Sequence, residues 1–184
     1  ETKYSGKLYV VNPKSESVQG ITSYKTVDEL PQVDLAILAI PAAMCVPAVR
    51  TLCGKKSCKA VIIFSSGFHE SSEEGAALES EIVKIVNKSG ASLIGPNCIG
   101  VLTPAYSGVF TKPIPRLNPM GADIISGSGA TAVFIIEASI ELGLTFSSVF
   151  SVGNSAQLGV EDVLEYLDET YVHGKSSPVK LLYI

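Results

Sequence analysis

The tetrad Ser126-Gly127-Ser128-Gly129 separates the run Ala122 to Ile125, apolar but for Asp123, from a second, largely apolar stretch that continues to Leu142. Two hydroxyls and two residues without side chains at a strand-to-helix junction are suited to holding an anion. The first amides of a helix have no partner within it and carry partial positive charge, and glycine lets a ligand approach the backbone closely. A plain serine N-cap is the competing reading. Gly127 to Ala132 also fits the dinucleotide pattern G-x-G-x-x-G/A, which calls for an acid at the end of the next strand to hold a ribose hydroxyl. That strand, Ser147 to Asn154, contains neither Asp nor Glu. A nicotinamide-binding oxidoreductase is therefore disfavoured, and a single phosphoryl group suits the loop better, at the amides of Ser128, Gly129 and Ala130 with the hydroxyls of Ser126 and Ser128.

Other residues with reactive side chains are few. Lys14 follows a strand and a proline turn, where it is either a solvated surface lysine or a point charge for a ligand phosphate. Cys98 ends an apolar run where a nucleophile could stand, but no histidine adjoins it in sequence to form a dyad, which favours packing. His69 and His173 are the only histidines, and His69 lies in a loop without an evident partner. The four cysteines, Cys45, Cys53, Cys58 and Cys98, form no CxxC pair and meet no histidine cluster, so no metal site is expected. They read as reduced packing residues, and the expected compartment is the cytoplasm.

These residues need elements to hold them. Apolar runs at Lys7–Pro13, Asp34–Pro41, Lys59–Gly67 and Ala91–Asn97 read as strands. A helix lies between the second and third, with Val46, Val49, Leu52 and Cys53 on one face and Gly54 as its stop. The next helix carries a Leu78, Ile82, Ile85, Val86 stripe, capping-box spacing at Ser71 and Glu74, and Gly90 at its end. Strands alternating with helices imply a parallel sheet. The proline-rich segment Thr103–Gly121 has no helical period and reads as a domain linker with an extended piece at Gly108–Thr111. Strands at 122–126, 147–152 and 179–184 then alternate with helices at 130–142 and around Val160 to Leu167. The strand ends read NPK, IPAA, FSSGFHE, GPNC, SGSG and SVGN. In open α/β sheets ligands gather at these carboxyl ends.

The bulk properties agree with a layered α/β protein. The chain has 184 residues, enough for one large or two small domains, and 46% of them are hydrophobic. Its mean hydropathy of +0.33 suits parallel strands buried on both faces. A net charge of −4 gives no support to nucleic-acid binding. No apolar stretch is long enough to span a membrane, so no membrane partner is expected.

Taken in order, the segments YVVNPK, AIPA, FSSGFHE, LIGPNCIGVLTP, GADIISGSGA and SVGNSAQLGVEDVLEYL resemble the NDP-forming acyl-CoA synthetases. That family includes the ADP-forming acetyl-CoA synthetases and is related to the succinyl-CoA synthetase alpha subunit. The resemblance implies an α/β fold, a Rossmann-like CoA-binding domain at residues 1–117 followed by a flavodoxin-like parallel-sheet domain at residues 118–184. Both are expected to be incomplete, with a first βα unit before Glu1 and the rest of the second domain after Ile184. Coenzyme A is the implied ligand of Lys14, Pro41, Ala42, Ser65, Ser66 and Gly67. Asn97 and Cys98 are implied to lie beside the acyl transfer point, and Ser126, Ser128, Gly129 and Ala130 to hold a phosphoryl group.

The implied reaction interconverts acyl-CoA, ADP and phosphate with acid, CoA and ATP, through an acyl phosphate and a phosphohistidine. Neither His69 nor His173 matches the family histidine, so no catalytic residue is expected within this chain. ADP or ATP with Mg is expected on an ATP-grasp domain or beta subunit outside it, within an oligomer. Val133 stands where succinyl-specific relatives have a tyrosine, which counts against succinate as the small carboxylic acid. The other classes weighed are a regulatory CoA- or nucleotide-sensing domain of an acyltransferase and the oxidoreductase.

Overall fold

The computed structural model describes residues 4–184. A small three-stranded sheet comes first: β1 (Val10–Val11) runs parallel to β3 (Ile21–Tyr24), which pairs antiparallel with β2 (Ser17–Val18). The β2–β3 turn is Gln19-Gly20, both with positive φ (49° and 82°), as a two-residue hairpin turn requires. The expected first strand, Lys7–Pro13, is thus only two residues long. It pairs with this hairpin rather than opening the larger sheet.

A parallel sheet in the order β4 (Leu35–Leu38), β5 (Ala60–Ile63), β6 (Ser92–Ile94) follows. Its connections are α1 (Ala42–Lys55) and α2 (Glu73–Ser89). The helix α1 runs through Gly54 instead of stopping there. Its buried face of Cys45, Val46, Val49, Leu52 and Cys53 outweighs the roughly 1 kcal/mol that an interior glycine costs. The N-cap of α2 is Ser72, one residue beyond the expected Ser71, and its hydroxyl accepts from the Gly75 amide. Gly90 closes α2 at φ 71°.

The segment expected as a linker is not one. β7 (Gly100–Thr103) and β8 (Tyr106–Val109) form a hairpin, and β9 (Leu117–Ser126) starts within the proline-rich stretch. They join β10 (Phe146–Ser151) and β11 (Lys180–Tyr183) in a five-stranded sheet of order β11-β9-β10-β7-β8. The first three strands are parallel, and the hairpin strand β7 is antiparallel to β10. The second sheet is therefore mixed, with a parallel part that carries α3 (Gly129–Glu141) and α4 (Val160–Glu169).

Successive residues in a strand point to opposite faces, which here sorts the core into layers. Val61 and Ile63 pack with α1 and α2, whereas Ile62 joins Ile125, Phe150, Val152, Val160 and Val163. Ile124 and Val149 face the other way, toward Ile136 of α3. The two sheets thus share one central apolar layer that includes α4. Ile62→Ala should lower the unfolding free energy by about 2–5 kcal/mol, as truncation in a fully packed core does. Urea unfolding followed by circular dichroism measures this. A loss below about 1 kcal/mol would show that the two sheets do not share a dry layer.

Candidate functional site

The carboxyl ends of the two sheets meet along one edge. The Ser65 hydroxyl donates to the Ile40 carbonyl (2.6 Å), which draws the loop after β5 onto the loop after β4. Gly67 has φ 100°, and a Cβ there would stand 3.3 Å from the Ala42 Cβ. Pro41 is the N-cap of α1 and Ala42 its first residue. The Asn97 amide donates to the Ser65 carbonyl (2.9 Å), so the loop after β6 joins the same cluster. Ser66 and Pro41 are exposed or half-buried at its surface, as are Ala42 and Gly67.

From the second sheet come two further loops. A Cβ on Gly153 (φ 57°) would collide with the Pro96 carbonyl oxygen, an approach only glycine permits. Asn154 follows, its amide donating to that same carbonyl (2.9 Å). The Ile99 amide donates to the Ser151 hydroxyl (3.2 Å), and a Cβ on Gly129 would lie 2.8 Å from Ile99 Cγ2. The start of α3 is therefore pressed against the residues just after Cys98.

Within the Ser126–Ala130 loop the roles divide. Ser126 is fully buried, its hydroxyl donating to the Ser128 carbonyl (2.7 Å) and accepting from the Ser128 amide (3.1 Å). Ser128 is the N-cap of α3, accepting from the Thr131 amide (3.3 Å) and hydroxyl (3.0 Å). The Ser126 hydroxyl thus braces the turn from inside, and the Ser128 amide already has a partner. Gly129 and Ala130, first in α3, have amides with no partner within the helix. Among the described residues neither amide donates elsewhere.

Lys14 stands apart. Its backbone amide and that of Ser15 donate to Asn12 Oδ1 (2.9 and 3.2 Å), forming a turn beside the small sheet. Among the described residues its exposed side chain makes no hydrogen bond or ion pair with the other loops. Cys98 is buried, with its thiol against the Ile63 carbonyl (3.3 Å), and burial pushes its pKa up to about 11. A thiol so placed is almost wholly protonated at neutral pH and is not an activated nucleophile. All four cysteines are free and buried. Among the described residues no group of three His, Cys, Asp or Glu side chains is placed to hold a metal ion.

Residues 2–104 match the model of the CoA binding domain family, and residues 119–173 match that of the succinyl-CoA ligase like flavodoxin domain. The chain belongs to the CoA binding domain family. It is 40% identical over 166 residues to the alpha subunit of an ADP-forming acetate–CoA ligase II from Pyrococcus furiosus, covering 90% of this chain and 36% of that one. It is 37% identical over 184 residues to an ADP-forming acetate–CoA ligase I from Archaeoglobus fulgidus, covering 98% and 26%. A solved Ca. Korarchaeum cryptofilum structure, described as a dinucleotide forming acetyl-coenzyme A synthetase 1 in complex with phosphate and ADP, superposes with a TM-score of 0.84 at 29% identity. It covers 98% of this chain and 38% of that one. The chain thus spans about a third or less of the length of these curated relatives. They bear out the resemblance to ADP-forming acyl-CoA synthetases.

This member of the CoA binding domain family carries a polar cluster that sequence reasoning missed. Glu70 Oε1 accepts from the amides of Gly67 (2.6 Å) and Phe68 (3.2 Å). Its other oxygen accepts from Asn154 Nδ2, which also donates to Glu79 Oε2 (2.9 Å). Glu79, only 9% exposed, lies 2.7 Å from His69 Nδ1 through its other oxygen, so the histidine does have a partner. The spacing of His69 and Glu79, across a cap and the first turns of a helix, gave no signal. Asn154 was visible only as a polar strand end.

Partial burial pushes the Glu70 carboxyl up. The hydrogen bonds from Asn154 and from the Gly67 and Phe68 amides outweigh it, leaving the group below its ordinary value. A lowered folded pKa means that the carboxylate's contribution is present above the unfolded value and lost as pH falls through the folded one. The Gly67 and Phe68 amide shifts should therefore titrate together in NMR with a midpoint below the usual glutamate value of about 4.3. A midpoint at or above it would remove Glu70 from these amides.

Proposed function

We propose that this chain is the CoA- and phosphoryl-binding part of an NDP-forming acyl-CoA synthetase, an acid-thiol ligase. The whole protein would interconvert acyl-CoA, ADP and phosphate with a carboxylic acid, CoA and ATP. One observation carries the reading: the loops after β4, β5 and β6 meet the start of α3, whose Gly129 and Ala130 amides have no partner among the described residues, along one edge. Pro41, Ala42, Ser65, Ser66 and Gly67 are assigned to CoA, and Lys14 to its phosphates as an outlying charge. Asn97 and Cys98 are assigned to the acyl transfer point, where Cys98 packs rather than reacts. The phosphoryl group belongs at the Gly129 and Ala130 amides, with Ser128 as the helix cap and Ser126 as the internal brace of the turn. Helix-end amides and dipole supply the positive end for it.

Nucleotide with Mg is assigned to an ATP-grasp part outside this chain, within a cytoplasmic oligomer. The names of the relatives favour neither the sensing domain nor the oxidoreductase, and β10 ends on Ser151 with no acid for a ribose.

Lys14→Ala in the full-length protein should weaken CoA binding about 3- to 10-fold at low salt, with the difference shrinking as salt rises. Isothermal calorimetry tests it, and equal affinity at low and high salt would remove Lys14 from the site. The phosphoryl site calls for an acid at Ala130 rather than Gly129, because a side chain at Gly129 would strike Ile99. At Ala130, which is exposed in the first helical turn, an acid suits the helix dipole by about 0.3–1 kcal/mol. Ala130→Asp should therefore raise thermal stability slightly while lowering phosphate-dependent turnover at least about tenfold, since like charges repel there. Normal turnover in this variant would leave α3 with a serine cap and no phosphoryl site.

A further inference from the structure

We propose that Asn154 is a positioning residue for the CoA-dependent part of the reaction, acting by closing a ring of hydrogen bonds around the Ser65–Gly67 loop. The inference rests on the reading of that loop as the CoA loop.

The ring can be followed bond by bond. Asn154 Nδ2 donates to Glu70 Oε2 (2.5 Å), and Glu70 Oε1 accepts from the Gly67 amide (2.6 Å). At the loop's other end the Ser65 carbonyl accepts from the Asn97 amide (2.9 Å). Asn97 Nδ2 then donates to Asn154 Oδ1 (3.4 Å). Both ends of the loop are thus held by residues that Asn154 itself touches. Its second Nδ2 hydrogen goes to Glu79 Oε2 (2.9 Å), whose carboxylate is steadied by His69 (2.7 Å). Its backbone amide is fixed on the Pro96 carbonyl (2.9 Å).

The side-chain chemistry admits an amide at this point. Two carboxylates and one amide donor must be met by one group offering two N–H donors and one carbonyl acceptor, which is the inventory of asparagine. An aspartate would have the same shape but would set a third carboxylate against Glu70 and Glu79. Asn154 belongs to the loop after β10 of the second sheet, whereas the Ser65–Gly67 loop follows β5 of the first. Its effect on CoA is therefore exerted through Glu70 and Asn97, by holding the loop in place.

The test compares full-length wild type with Asn154→Asp, Glu70→Gln and the double variant. Asn154→Asp should raise the KM for CoA roughly tenfold or more, the scale expected when a charge-assisted hydrogen bond becomes a repulsion. Phosphoryl transfer from ATP to the protein without CoA should stay within about twofold of wild type. Glu70→Gln turns a second amide donor toward Asn154 and should raise the same KM by about 3- to 10-fold. In the double variant the new amide at position 70 donates to the new carboxylate at position 154, while its carbonyl still accepts from Gly67. Part of the lost affinity should therefore return, the remainder staying lost because the Glu79 carboxylate still faces position 154. An unchanged KM in Asn154→Asp would overturn the proposal while leaving the CoA reading intact, provided wild type binds CoA. A parallel fall in both steps without rescue would also overturn it, as the mark of a merely structural residue. Failure of wild type to bind CoA would instead overturn the CoA reading and this inference with it.

Discussion

Ile62, Ile125, Phe150 and Val160 occupy one buried layer although they come from two sheets and a helix distant in sequence. Each strand in this layer must bury both faces, one against its own outer helices and one against the other sheet. That constraint explains the unbroken apolar run of β5 and the adjacent buried pair Ile124-Ile125 of β9, since a strand with one wet face would alternate. It also fixes the relation of the two sheets. Once Ile62 and Phe150 share a dry layer, the loop after β10 is brought against the loops after β5 and β6.

The layer leaves the loops to settle the details through polar contacts. Gln157 Oε1 accepts from the Leu93 amide of β6 (2.6 Å), and its Nε2 donates to Asn87 and to the Ala91 carbonyl. Asn154 and Gln157 thus dock one loop of the second sheet against α2, β6 and the turn after it. Small residues serve this docking as much as ligand approach: Gly153 sits against the Pro96 and Asn97 carbonyls, and Gly129 against Ile99. At the opposite end of the second sheet, Asp123 accepts from Ser148 (2.5 Å) and Lys180 (2.7 Å). This pair of a buried aspartate and a half-buried lysine satisfies its own charges and ties β11 to β9 away from the ligand edge.

The sequence revealed whatever depends on local periodicity. The stripe of Leu78, Ile82, Ile85 and Val86 and the terminal Gly90 define α2 without tertiary information, and the apolar runs locate β4, β5 and β6. The errors arose where tertiary packing overrides local preference. Gly54 and Pro47 both oppose α1, yet its buried face carries the helix past them. The hairpin of β7 and β8 was hidden because its strands are four residues each and are followed by prolines, and the sheet partner of β7, β10, lies far along the chain. At the site, the strand-end loops were legible because bends need small and polar residues. The division of Ser126–Ala130 into brace, cap and open amides was not, because it depends on where each hydroxyl turns. His69 looked solitary because its partner Glu79 approaches only when α2 packs.

The edge also presents an electrostatic puzzle, since the chain carries a net charge of −4 and sets two carboxylates beside loops assigned to anionic ligands. The hydrogen bonds resolve it. Glu70 is met by the Gly67 and Phe68 amides and by Asn154, and Glu79 by Asn154 and His69. Each carboxylate faces donors fixed by the fold, so its field toward the ligand edge is partly cancelled at the source. What remains falls off within a Debye length of about 8–10 Å in physiological salt. The Gly129 and Ala130 amides, by contrast, meet no acceptor among the described residues, and the dipole of a 13-residue helix stands behind them. The positive end of the proposed phosphoryl site is therefore made by backbone, with Lys14 only an outlying charge proposed for CoA, and charge composition carries no sign of such a site. Backbone donors are rigid: α3 is seated through Ile136 on Ile124 and Val149, and the shared apolar layer on the sheet's other face brings the loops after β5 and β6 up to its start.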